Sequence, residues 1–173
     1  DGSFDLFLER GSGSVYRFDK HGLLVSETDE FGNVVAWERS PEGRLTRIAD
    51  LSGTGRYVTV GWTTGGKVHT LTDSASRTIT YDYDPVGNRI GMTRNGVATT
   101  SSFDDNDRLT SETTGGSTKT FAYDANGNLV KRTVGALFDA YTFDDQNRLI
   151  DADVGTGVNP ESASYTYDPD GNR

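Results

Sequence analysis

The sequence contains no cysteine, so a disulfide framework and thiolate metal centres are both excluded. It has no apolar run approaching the ~20 residues of a membrane-spanning helix, and no stretch reads as a signal peptide. Histidine occurs twice, at His21 and His69, which leaves little material for imidazole chemistry. Basic residues are few and scattered: 17 Lys and Arg stand against 26 Asp and Glu, for a net charge of −9. Binding to a phosphate backbone needs clustered Lys and Arg, so nucleic acid is not an expected partner. Hydrophobic residues make up only 33%, low for a compact domain of 173 residues, whereas glycine is abundant at 21. Low hydrophobicity with high charge also describes disordered chains. Here the aromatics recur at regular intervals, and the chain reads as ordered and extended.

The order lies in a four-residue pattern, Asp-x-x-Gly, at Asp19 to Gly22, Asp29 to Gly32, Asp84 to Gly87, Asp124 to Gly127 and Asp168 to Gly171. Ser40 to Gly43 and Thr63 to Gly66 place a hydroxyl first, and Asp104 to Asp107 and Asp144 to Asn147 end on Asp or Asn. From position 66 to 147 the fourth residues step by 21, 20, 20 and 20, which is a repeat period. A type I turn favours Asp, Asn or Ser first, Pro second and Gly fourth. The first side chain can cap a backbone N–H two residues on. Pro41, Pro85 and Pro169 occupy the second slot, where φ near −65° is wanted. The fourth slot requires left-handed φ, as in a three-residue hairpin loop closed by a bulge; Asp107 and Asn147 are the residue types that best tolerate it without being glycine. Further punctuation falls midway, at Gly53 with Gly55, Asn95-Gly96, Gly115-Gly116, Gly135, and Gly155 with Gly157. Each repeat therefore reads as strand, turn, strand, turn, with strands of about seven residues.

Aromatics two apart precede the turns: Tyr16 and Phe18, Tyr81 and Tyr83, Phe121 and Tyr123, Tyr141 and Phe143, Tyr165 and Tyr167, with Phe103 and Trp62 singly in phase. A spacing of two puts each pair on one face of its strand. They are read as an aromatic ladder on the packed face of the sheet; the rival reading is a row that stacks on sugars.

No residue presents itself as catalytic, cofactor-binding or metal-binding. His21 falls in a turn and His69 in a strand, without acid and serine partners. Gly11-Ser-Gly-Ser14 lacks the strand–Ser–helix setting of a nucleophile elbow. Carboxylate pairs such as Asp104 with Asp105 and Asp144 with Asp145 recur from turn to turn, whereas a glycosidase needs one special pair in one cleft. Asp124, Asn126 and Asn128, like Asp168, Asp170 and Asn172, imitate the start of a calcium loop but lack its bidentate Glu and flanking helices. The step before Gly171 is lengthened to 24 residues around Asn159-Pro160-Glu161-Ser162, the clearest irregularity in the array.

The phrases Tyr83-Asp-Pro-Val-Gly-Asn-Arg89, Tyr123-Asp-Ala-Asn-Gly-Asn-Leu129, Phe143-Asp-Asp-Gln-Asn-Arg-Leu149 and Tyr167-Asp-Pro-Asp-Gly-Asn-Arg173 resemble YD repeats of the RHS family. That resemblance covers nearly the whole chain and implies an all-β fold: tandem antiparallel β-hairpins, about 16 strands, in a spiralling, solenoid-like strip that forms part of a shell. It implies a non-catalytic segment of a secreted or cell-surface bacterial protein whose shell encloses or displays a C-terminal toxin; an adhesion module that binds a glycan or a protein is the alternative. The conserved-core segment that cuts the toxin free in the family has no match here. The expected partners are neighbouring repeats of the parent chain and such a toxin, glycan or protein, with no cofactor. Residues 1–173 read as one array and a fragment of a larger protein, with divergent repeats over 1–63 and regular ones over 64–173.

Overall fold

A computed structural model describes residues 13–156, 161–168 and 170–172. Short segments rich in Thr, Val and Tyr between glycine-bearing turns favour strands, and no helix occurs among the described residues. The strands are β1 Val15–Phe18, β2 Leu24–Thr28, β3 Val34–Arg39, β4 Leu45–Asp50, β5 Tyr57–Trp62, β6 Val68–Asp73, β7 Thr78–Tyr83 and β8 Arg89–Arg94. They continue as β9 Val97–Phe103, β10 Leu109–Thr114, β11 Ser117–Tyr123, β12 Leu129–Val134, β13 Leu137–Phe143, β14 Leu149–Thr156 and β15 Glu161–Ser164. All fifteen follow one another in chain order through one open antiparallel sheet. The described residues form two compact units: one runs to Tyr81 and takes in Thr93–Gly96, the other holds Asp82–Met92 and the residues from Val97 onward.

In the first unit Trp37 stands opposite Ile48, Ile48 opposite Val58, and Leu71 between Val60 and Ile79. Successive residues point to opposite faces, so these share one face while Ala36, Ala49, Thr59, Thr70 and Thr72 take the other. In the second unit Phe121, Arg132, Asp139 and Tyr141 share a face, and Thr118, Thr120, Thr133 and Phe138 lie behind them. A single sheet layer cannot enclose large side chains. Accordingly, the only buried apolar residues among those described are the small Ala49 and Ala152. Stability rests on the backbone ladder and on cross-strand pairs, each contributing roughly 0.2–1 kcal/mol.

Antiparallel order sends successive turns to alternate edges. In the first unit one edge carries the turns after β1, β3 and β5, and the other carries those after β2, β4 and β6. The Asp29 turn thus lies on the edge opposite the Asp19 turn, which explains why position 32 falls between 22 and 43 in the spacing. In the second unit, the first edge carries the turns beginning at Asp84, Asp104, Asp124 and Asp144, while the second narrows to the two-residue loops Gly115-Gly116 and Gly135-Ala136.

Candidate functional site

The repeated turn is one local structure used ten times among the described residues. The first residue's N–H donates to the carbonyl of the fifth, and the fourth residue's N–H donates to the carbonyl of the first; for Asp124 these bonds measure 3.0 and 3.1 Å. The fourth residue takes left-handed φ at every occurrence, from 59° at Asn147 to 114° at Gly87. The strand register slips by one residue beside these turns, for example between Arg17 and Phe18, Ala122 and Tyr123, and Thr142 and Phe143, as a bulge requires. The tenth turn, Asp73 to Arg77, is missing from the sequence pattern because Ser76 holds the fourth slot, at φ 62°. Its five-residue spacing and terminal Arg were the only signal. Pro169 and Arg173 lie outside the described residues.

The leading carboxylate is spent on its own turn. One oxygen of Asp124 accepts the N–H groups of Asn126 and Asn128, at 2.9 and 2.8 Å, and the other accepts the Asn128 side-chain amide at 2.9 Å. Asp19, Asp29, Asp73, Asp104, Asp144 and Asp168 make the same pair of backbone bonds. The Asn128 amide above all, then its backbone N–H, holds the Asp124 carboxyl below the usual carboxylate range against partial desolvation. At Asp104 and Asp144 the backbone N–H groups of Arg108 and Arg148 do so, helped by the guanidinium groups. A cation would have to displace these donors from the Asp124 site. No group of three or more Asp, Glu, His or Cys among the described residues is arranged to hold a metal.

Side chains join one turn to the next. Within the second unit Asn88 donates to Asp107 at 2.7 Å and Asn128 to Asn147 at 2.8 Å. Arg108 donates to the Asp124 carbonyl at 3.3 Å and lies over the Tyr123 ring, 4.9 Å from its centre; Arg148 lies 4.6 Å over Tyr167. In the first unit Arg44 lies 6.0 Å over Trp62. Desolvated contacts of this kind contribute up to about 2 kcal/mol, exposed ones less.

The aromatics before the turns are half-buried throughout, at Tyr16, Phe18, Tyr81, Tyr83, Phe103, Phe121, Tyr123, Tyr141, Phe143, Tyr165 and Tyr167. Four of the residues directly before a turn face a leucine across it: Phe18 opposite Leu24, Phe103 opposite Leu109, Tyr123 opposite Leu129, and Phe143 opposite Leu149. Tyr123 and Tyr167 donate their hydroxyls to the Leu109 and Leu149 carbonyls at 2.9 and 2.8 Å, and the Trp62 indole donates to Leu45 at 2.7 Å. Tyr123 therefore fixes two hairpins, by packing across its own turn and bonding to the preceding one.

The histidines are not brought together with acids and a nucleophile. His21 contributes only a backbone N–H to Asp19, and His69 Nδ1 donates to the Tyr81 carbonyl at 2.8 Å. Gly11 and Ser12 of the Gly11–Ser14 stretch, and Asn159 and Pro160 of the lengthened step, lie outside the described residues. One out-of-phase carboxylate escaped the sequence reading. Asp139, 5% exposed, is paired with Arg132 at 2.5 Å and accepts the Gly155 N–H at 2.9 Å. It ties the bulged part of β14 to β13, a task without a sequence signature.

The RHS Repeat family profile matches residues 18–54 and 103–136. No curated protein sequence matches the chain. A crystal structure of TcdB2-TccC3-TEV shares the fold with a TM-score of 0.70 at 15% identity, over 86% of this chain and 9% of the solved one. A structure of a Photorhabdus luminescens Tc holotoxin pore aligns over 91% of this chain and 13% of its own, at 15% identity and a TM-score of 0.45. The chain thus spans about a tenth of the length of these solved chains. Hairpins repeating every 20 residues, with the RHS Repeat profile matched once in each compact unit, make this chain similar to the RHS-repeat family over residues 18–54 and 103–136.

Proposed function

We propose that the chain is a non-catalytic wall segment of a large secreted or cell-surface RHS protein, part of a β-shell that encloses or displays a C-terminal toxin. The observation that carries this reading is the use of the turn carboxylates: the groups best suited to chemistry are engaged by their own turns, repeat after repeat. A catalytic centre needs a pair of groups set apart by environment, and the turn row treats its acids alike. The RHS resemblance supplies the shell and its cargo, and residues 1–173 would form one array within it, divergent over 1–63 and regular over 64–173.

A second reading, an extracellular module that binds a glycan or a protein, is favoured at one place. Phe31 stands 81% exposed at the tip of its turn, where most turns of the array carry a polar residue. Limited proteolysis of the full-length parent, followed by mass spectrometry and gel filtration, separates the two. A C-terminal fragment that survives protease and co-elutes with the repeats until denaturant is added supports the wall. Immediate digestion of the downstream region while the repeats persist removes encapsulation and leaves the binding module.

A further inference from the structure

Where one turn stacks on the next, the fifth residue of the first meets the fourth residue of the second, and the two are matched in kind. In the first unit a Cβ placed on Gly43 would stand 3.8 Å from Leu23 Cδ1, and one on Gly66 would stand 3.5 Å from Arg44 Nη2. In the second unit a Cβ on Gly127 would stand 4.0 Å from Arg108 Nη1. Asparagine behaves differently. Asn88 donates one amide hydrogen to Asp84 of its own turn, at 3.0 Å, and the other to Asp107 of the next, at 2.7 Å. Asn128 does the same with Asp124 and Asn147, at 2.9 and 2.8 Å. Leu23, Arg44 and Arg108 thus lie beside glycine, and Asn88 and Asn128 face Asp or Asn; a Cβ on Gly171 would meet nothing within 4 Å.

Backbone conformation does not explain the match. The five receiving positions have similar left-handed φ: 82° at Gly43, 79° at Gly66, 60° at Asp107, 90° at Gly127 and 59° at Asn147. Glycine would fit every one at lower conformational cost. We propose that this fifth-to-fourth contact is a pairing rule that determines which hairpin docks on which: an Asn requires an acceptor side chain in the next turn, whereas a long side chain reaches past a glycine and requires none. The reach of the side chains supplies the reason. The Arg108 guanidinium runs across the Tyr123 ring to the Asp124 carbonyl, so it reaches the next turn's backbone without needing an acceptor side chain at position 127. An asparagine is too short for that path, so the next turn must bring an oxygen to it.

The rule generates a longer period. Turns ending Gly-Asn at 87–88, 127–128 and 171–172 alternate with turns ending Asp-Arg at 107–108 and Asn-Arg at 147–148. From position 87 onward neighbouring hairpins are therefore not interchangeable, and the unit of assembly there is a pair of hairpins, about 40 residues; the turns ending at 23, 44 and 67 are all of the glycine–long kind. This holds whatever the sheet encloses.

Two double-mutant cycles on the complete chain test it, read by thermal melting. The first combines Asn128→Arg with Asn147→Gly and converts an asparagine pair to a long–glycine pair. The second combines Arg108→Asn with Gly127→Asn and does the reverse. Each double variant is expected to melt about 2–4 °C above the sum of its single changes, the displacement that coupled neighbours produce in a chain of this size. Where a single variant fails to fold, recovery of folding in the double counts equally in favour. Additive shifts in both cycles overturn the rule, as does failure of both doubles to fold while the control Asn147→Asp, which keeps the acceptor, folds normally.

Discussion

At the scale of the residue, the turn is governed by two demands: a capping oxygen at the first position and left-handed φ at the fourth. Gly127 sits at φ 90°, where a β-branched side chain is strongly disfavoured. Gly127→Val should lower the stability measured by urea unfolding by at least about 1–2 kcal/mol. Ser76 occupies the equivalent slot at φ 62°, so Ser76→Gly should act in the opposite direction, by up to about 1 kcal/mol. An unchanged midpoint for both variants would mean that the fourth position is not under conformational control. The capping oxygens make a second demand visible in solution. The carboxyls of Asp19, Asp29, Asp73, Asp104, Asp124, Asp144 and Asp168 are all lowered from the ordinary value of 3.8. A lowered folded-state value stabilises the fold above the unfolded value, and the contribution disappears as pH falls through the folded one. The melting temperature should be nearly flat from neutral pH to about pH 5 and fall steeply below about pH 4. A melt independent of pH down to about pH 3 would show that these carboxylates do not support the turns.

At the scale of the element, strand and turn were largely legible because each is specified locally. Asp84-Pro85-Val86-Gly87 states its turn type in four residues, and the paired aromatics Phe121 and Tyr123 state the face. Legibility failed where local chemistry is degenerate. Ser76 gives no sign of left-handed φ, so the turn after β6 was hidden. Which edge a turn occupies depends on counting strands, so Asp29 was grouped with turns of the opposite row. The contacts of Asn88 and Asp107 join residues 19 positions apart, beyond the range of any turn motif. Asp139 was invisible because one carboxylate among 26 acidic residues carries no label until the fold buries it. The 40-residue pairing rule makes a prediction at this scale. Deleting residues 104–143 places Asn88 against Asn147 and preserves the match, whereas deleting residues 104–123 places it against Gly127. In a repeat array stability is nearly additive over neighbours, so each deletion is compared with itself carrying Asn88→Arg. The change should raise the melting temperature of the 104–123 deletion relative to its effect in the 104–143 deletion, where the acceptor is retained. An equal effect of Asn88→Arg in both deletions would contradict assembly in hairpin pairs.

At the scale of the whole molecule, the described strands form one sheet, with two small buried alanines where a globular domain would have a large core. A soluble domain ordinarily packs a second layer onto its apolar face. A wall needs no such layer, because its two faces meet different surroundings. Lys119 and Thr120 are adjacent, both exposed, and point to opposite faces of β11. With no native cysteine in the chain, Lys119→Cys and Thr120→Cys each report one face alone. The decisive measurement is labelling of these two variants with a bulky maleimide, in the isolated chain and in the full-length parent, quantified at each site by mass spectrometry. A wall segment predicts that both sites label in the isolated chain while one of them becomes protected in the parent. Equal labelling of both faces in the parent would contradict it.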